Sequence, residues 1–160
     1  PGPTTGISRS RPHSSSPAHP SRTPARSRGS GRPLDAARAQ RVLERLDSVR
    51  AAAFAARDSG LLRQVYASRP LLTRDTSLLT ATVPVGCGLR GVRTSFAGVR
   101  ISAQRRDFVR LRVRAVLGRS TLVCGNTRAG TAAGAGPAEL CIELNHVEGS
   151  YRIASQRVVA

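Results

Sequence analysis

The stretch FVRLRVRAVL, residues 108–117, constrains this chain more than any other. Val109, Leu111, Val113, Ala115 and Leu117 alternate with Arg110, Arg112 and Arg114. A period of two sends successive side chains to opposite faces of a strand. One face of the sheet is therefore core and the other is a ladder of arginines. The segment upstream, GVRTSFAGVRISAQ (91–104), is a second strand region that turns at Arg105 to Asp107. Gly118 is expected to bend the strand before STLVC (120–124) resumes it. GNTRAGTAAGAGP (125–137) reads as a flexible loop. AELCIELNH (138–146) alternates again, with Leu140, Ile142 and Leu144 set against Glu139, Cys141 and Glu143. VEGS is a tight turn, and YRIASQRVV (151–159) closes the sheet with Tyr151 and Ile153 on one face.

Before Val83 the period is helical. Leu34, Val42, Leu46, Val49, Ala53 and Phe54 recur on one side of a helix over 34–57, with Arg38, Arg41, Arg45 and Arg57 largely on the other. Pro33 precedes it and Asp35 supplies an N-terminal carboxylate. Glu44 and Asp47 are placed to pair locally with Arg41 and Arg50. The chain breaks at RDSG (57–60), where Asp58 or Ser59 caps a second helix with core positions Leu61, Leu62, Val65 and Tyr66. SRP (68–70) is expected to end that helix. TRDTSLL (73–79) starts a short third one, capped by Asp75 or Thr76, with Leu78 and Leu79 facing inward. Helices gathered before a strand meander predict an α+β fold: two to three N-terminal helices on a curved antiparallel sheet.

Residues 1–33 differ in composition. Seven prolines, eight serines and six arginines leave Ile7 as the one large apolar side chain. Such a block cannot bury enough surface to offset its ordering entropy, so a disordered tether is expected ahead of a 34–160 domain. His13 and His19 fall in that block. The chain carries 26 basic residues, all arginine, against 9 acidic, a net charge of +17. The lack of lysine fits a high-GC coding bias, so part of the arginine excess is compositional. No apolar run reaches the roughly 18 residues of a membrane-spanning helix. The chain begins at Pro1 rather than at methionine, and a signal or anchor segment upstream is an expectation.

Several stretches together, AAAFAARDSGLLRQVYA (51–67), RDTSLL, GLRGVR, FVRLRVR and GSYRIASQRVV, resemble the nuclear-transport-factor-two-like superfamily. The resemblance covers about residues 34–160 and implies the cone-shaped fold shared with ketosteroid isomerases and polyketide cyclases. Within it, the chain is similar to a branch of high-GC Gram-positive bacteria whose members carry an anchor or signal, a low-complexity spacer and this domain outside the membrane. These motifs are packing signatures, and the fold hosts enzymes, binding modules and scaffolds alike.

An isomerase or cyclase needs an ionisable group inside the cone. Glu139 and Glu143 point outward and are expected to pair across strands with Arg110, Arg112 and Arg114. Asp58 and Asp75 read as caps, and no acid is left for a pocket. His146 shares parity with Ile142 and Leu144 and is the candidate base; Tyr66 and Tyr151 are the other pocket candidates. Antiparallel pairing across the 125–137 segment would bring Cys124 to Cys141, a candidate disulfide in an oxidising compartment, the alternative being free thiols; Cys87 would stay unpaired. No cysteine–histidine cluster suggests a metal, and no nucleotide-binding glycine pattern or other cofactor signature occurs. The leading expectation is a non-enzymatic extracytoplasmic domain, secreted or anchored, that binds a small apolar ligand or a protein partner. The alternatives are an isomerase- or cyclase-type enzyme using His146, and a binder of nucleic acid or an anionic cell-surface polymer through Arg110, Arg112 and Arg114. A cytoplasmic location and a homodimer remain open, and nucleic acid is disfavoured because three phenylalanines and two tyrosines give little stacking surface.

Overall fold

Asp35 starts the first helix as its chemistry predicts. In the computed structural model, which describes Gly2 and residues 33–159, α1 runs Ala36–Ala56. The Asp35 carboxylate accepts a 2.8 Å hydrogen bond from the Arg38 N–H, satisfying one of the helix's unpaired donors. Ala39, Leu43, Leu46, Ala53 and Phe54 form its buried stripe. The helix stops at Arg57, which adopts a left-handed φ of 53° and donates Nε to the Val83 carbonyl at 2.6 Å. Asp58 then accepts from the Gly60 N–H and caps a 3-10 turn, Ser59–Leu61, that leads into the single turn of α2, Leu62–Val65.

The third helix corrects the sequence reading. α3 runs Arg69–Thr82, so Ser68-Arg69-Pro70 begins a helix rather than ending one. Pro70 falls in the first turn, where its missing N–H costs nothing. Asp75 and Thr76 are therefore mid-helix, and neither is a cap. Leu79 is buried, whereas Leu78 is exposed.

Among the described residues, seven strands follow: β1 Cys87–Arg90, β2 Thr94–Arg105, β3 Phe108–Leu117, β4 Ser120–Cys124, β5 Thr127–Ala132, β6 Ala135–Val147 and β7 Ser150–Val158. They form two antiparallel sheets, β2-β3-β6-β7 and β1-β4-β5. The bend at Gly118 carries the chain from one sheet to the other, its N–H held by the Arg93 carbonyl at 2.8 Å. The segment expected to be a flexible loop, 125–137, instead supplies β5 and the start of β6. Backbone pairing with β4 and β3 builds these strands, and side-chain pattern contributes little.

The buried face of the four-stranded sheet carries Val109, Leu111, Val113, Ala115, Leu140, Ile142, Leu144 and Ile153. α1 packs over β1 and β2. The segment after α2 is stitched to β7 by a 2.9 Å bond from the Ala67 N–H to the Ile153 carbonyl. The alanine face of α1 lets backbone meet backbone: a Cβ at Gly88 would collide with the Ala55 carbonyl. Gly88→Ala should therefore lower stability by about 1–3 kcal/mol in urea denaturation, because α1 must lift off β1. A neutral result would mean that the helix end is not held there.

Cys87 and Cys124 face each other in register and form a disulfide. The candidate Cys124–Cys141 pair is thus corrected. β4 pairs with β1 and β5, whereas β6 lies in the other sheet, and Cys141 is a buried free thiol. The tether reading of 1–33 falls outside the described residues, apart from Gly2 and Pro33. Among the described residues, no helix is long and apolar enough to cross a membrane.

Candidate functional site

Small side chains open a space between helices and sheet. Ala115 on β3 pairs with Ala138 on β6, and Leu117 pairs with Ala135. These alanines and Gly136 do not reach the helices above them, and a cavity of about 220 Å³ results. Leu43 of α1, Val65 of α2, Phe96, Leu140, Ile142 and Ile153 give it apolar walls. The GAGPA stretch, bland as sequence, is part of this wall.

Polar groups line the space as well: Asp47, Arg50, Tyr66, Arg74, Thr94 and Gln156. Behind them stands Asp75, only 1% exposed. Its Oδ2 accepts from Arg50 Nε and from the Tyr66 hydroxyl, each at 2.6 Å, and its Oδ1 lies 3.5 Å from Arg74 Nε. The Arg50 guanidinium also stacks on Phe54, 4.9 Å from the ring centre. Burial pulls the Arg50 pKa down, but the Asp75 carboxylate and then Tyr66 outweigh it and hold the group more firmly charged than usual. Burial first, then the Asp75 charge, pushes the Tyr66 phenol well above the ordinary tyrosine range, so it stays a neutral donor.

Asp47 is the other buried acid, 6% exposed, and its Oδ2 accepts the Thr94 N–H at 3.0 Å, pinning the start of β2 to α1. The local pairs expected on α1 do not form. Arg50 reaches across to α3, Asp47 reaches β2, and Glu44 accepts from Gln40 at 2.9 Å. The expectation that no acid remains for the interior is corrected by Asp47 and Asp75. Each sits one helical turn from an apolar neighbour on the inward stripe, and that spacing is the signal that could have found them.

Of the three pocket candidates, only Tyr66 lines the cavity. His146 is exposed and stacks edge-on against Tyr151 at the β6–β7 hairpin, ring centres 4.9 Å apart. Of the expected cross-strand pairs, Arg110–Glu143 forms at 2.8 Å. Arg114 stands opposite Glu139 in register without a direct ion pair, and Arg112 faces Cys141. Among the described residues, no three histidine, cysteine or acidic side chains gather into a metal-binding group.

No protein-family model and no curated protein sequence matches the chain. Several solved structures are similar to it, among them the following three. The intermembrane space region of the chloroplast protein ARC6 matches with a TM-score of 0.55 at 14% identity, over 79% of this chain and 98% of that one. Aln2 from a Streptomyces species matches with a TM-score of 0.50 at 12% identity, over 78% and 92%. A protein of unknown function with a cystatin-like fold from Nostoc punctiforme matches with a TM-score of 0.45 at 14% identity, over 78% and 92%. At these identities the likeness to the first two concerns the fold alone, helices followed by a curved antiparallel sheet.

Proposed function

We propose that this chain is a non-enzymatic extracytoplasmic binding domain, carried on the 1–33 spacer, that holds a small apolar ligand between its helices and its sheet. The observation that carries the reading is the cavity itself: about 220 Å³ with mostly apolar walls. That is larger than the roughly 150 Å³ that holds benzene and smaller than the roughly 300 Å³ where drug-sized sites begin, so the ligand is on the scale of one or two rings. The interior acids already hold structure, Asp75 on Arg50 and Tyr66, Asp47 on the β2 backbone. The base that an isomerase or cyclase reading would use, His146, stands outside the cavity lining. The Cys87–Cys124 disulfide favours an oxidising compartment.

Titration with a neutral fluorescent two-ring probe, 6-propionyl-2-(dimethylamino)naphthalene, tests the reading. Saturable one-site binding is expected, and Ala115→Leu should weaken it at least tenfold by filling the cavity from β3. His146→Ala should leave it unchanged. Equal binding by Ala115→Leu and the unsubstituted protein would overturn the assignment.

A further inference from the structure

The opposite face of the same sheet carries a second feature. Strand register sets Arg100 against Arg112, Arg112 against Cys141, and Cys141 against Arg157, so four strands contribute one row. Directly opposed residues in adjacent strands share a face, and like charges so placed repel. Arg100, Arg112 and Arg157 are all exposed, and the row holds no carboxylate. The two glutamates of this face belong to the flanking rows: Glu143 is bound by Arg110 at 2.8 Å, and Glu139 stands beside Arg114. The repulsion within the central row is therefore not relieved by an acid of the row itself.

Two grooves run along it and meet at Arg112. One, about 350 Å³, is lined by Arg100, Arg112 and Arg114, with Glu139 of the flanking row also in its wall, so three guanidinium groups face one carboxylate there. The other, about 380 Å³, is walled by Arg110, Arg112 and Arg157, with the Ser102 side chain at its edge and Cys141 as its floor. The short cysteine side chain between two long arginines makes this recess; Arg157 Nη2 lies 3.9 Å from its sulfur. Guanidinium forks match phosphate oxygens in geometry and charge. Two open grooves sharing one arginine, each larger than a single phosphate, suit a chain of phosphates better than a single ion.

We propose that this row, Arg100, Arg112 and Arg157, binds the phosphates of a base-free phosphodiester polymer. Neither groove is lined by an aromatic ring, and Phe108, which shares the face, has its ring covered by the Arg110 guanidinium at 5.6 Å. Single-stranded nucleic acid binds through stacked bases, which this surface has no platform to receive. A second copy of the chain would set arginine row against arginine row.

The test uses the full chain and poly(glycerol phosphate), with affinity measured at several salt concentrations. Arg112→Gln with Arg157→Gln is compared with Arg41→Gln and Arg45→Gln, which remove the same charge from the exposed side of α1. The sheet pair should weaken binding at least tenfold. It should also flatten the salt slope by about 1.4, at about 0.7 per phosphate contact. The α1 pair should cost less than threefold. Equal losses in both pairs would reduce the interaction to net charge and overturn the proposal. So would tighter binding of a single-stranded oligonucleotide of matched charge, which would indicate a nucleic-acid partner. So would a dimer in sedimentation that the sheet pair dissociates, which would make the row a copy interface.

Discussion

Asp75→Asn should destabilise the domain by about 3–5 kcal/mol, the loss expected when one partner is removed from a buried charge pair. Asp75 is almost wholly buried and takes Arg50 Nε and the Tyr66 hydroxyl on a single oxygen. The amide keeps the shape but drops the charge, leaving a largely buried guanidinium without its counter-ion. Against a typical stability of about 5–15 kcal/mol this is a large fraction, readable as a lower urea midpoint with an unchanged slope. Replacing the whole network, Arg50→Met, Tyr66→Phe and Asp75→Leu together, should lose far less than the single change, because no buried polar group is then orphaned. A loss below about 1 kcal/mol for Asp75→Asn would show that the network does not hold the helices together. The alkaline limb follows from the same contact. The folded state keeps Tyr66 protonated above the pKa of about 10 that the unfolded chain has. The unfolded state thus releases its proton first, and stability falls as pH rises past about 10 towards the raised folded pKa. Tyr66→Phe should remove that component of the fall.

The residues that pattern well alone were legible in the sequence. The alternation of β3 sets its buried face without reference to anything distant and stands as read. The α1 stripe shares Leu46, Ala53 and Phe54 with the sequence reading but buries Ala39 and Leu43, leaving Val42 and Val49 half-buried. Asp75 was not legible, because a local explanation sufficed: an acid near the start of an apolar run looks like a cap. Its real partners lie 25 residues away on α1 and 9 away after α2, and only the packing of three helices brings them together. The Gly/Ala stretch was opaque for a different reason. Strands β5 and the first part of β6 are largely exposed and are held by backbone pairing, so their side chains carry no alternation to read. The smallness of Ala135, Gly136 and Ala138 on β6 is nonetheless what leaves the cavity unfilled. His146 shows the reverse error, where parity with Leu144 suggested an inward side chain at a hairpin end that is exposed.

Reduction of the Cys87–Cys124 bridge should lower stability by about 3–4 kcal/mol, from the chain entropy released when a loop of 37 residues is no longer closed. The loop spans β1 to β4 and therefore contains β2, β3 and the Gly118 bend that joins the two sheets. Without the bridge, β1, a strand of only four residues, is held by its pairing with β4 and its packing under α1. Cys87→Ala with Cys124→Ala should match the reduced protein and become insensitive to dithiothreitol. Cys141→Ala should leave the response to dithiothreitol intact, because that thiol sits on the other sheet beneath Arg112 and Arg157. Peptide mapping of the oxidised protein should join the fragment containing Cys87 to the fragment containing Cys124. A bridge between Cys124 and Cys141 would instead require β4 to lie beside β6. That would dismantle the three-stranded sheet and the register that sets Ala115 beside Ala138 in the cavity wall. The mapping experiment therefore tests the sheet topology on which the cavity depends.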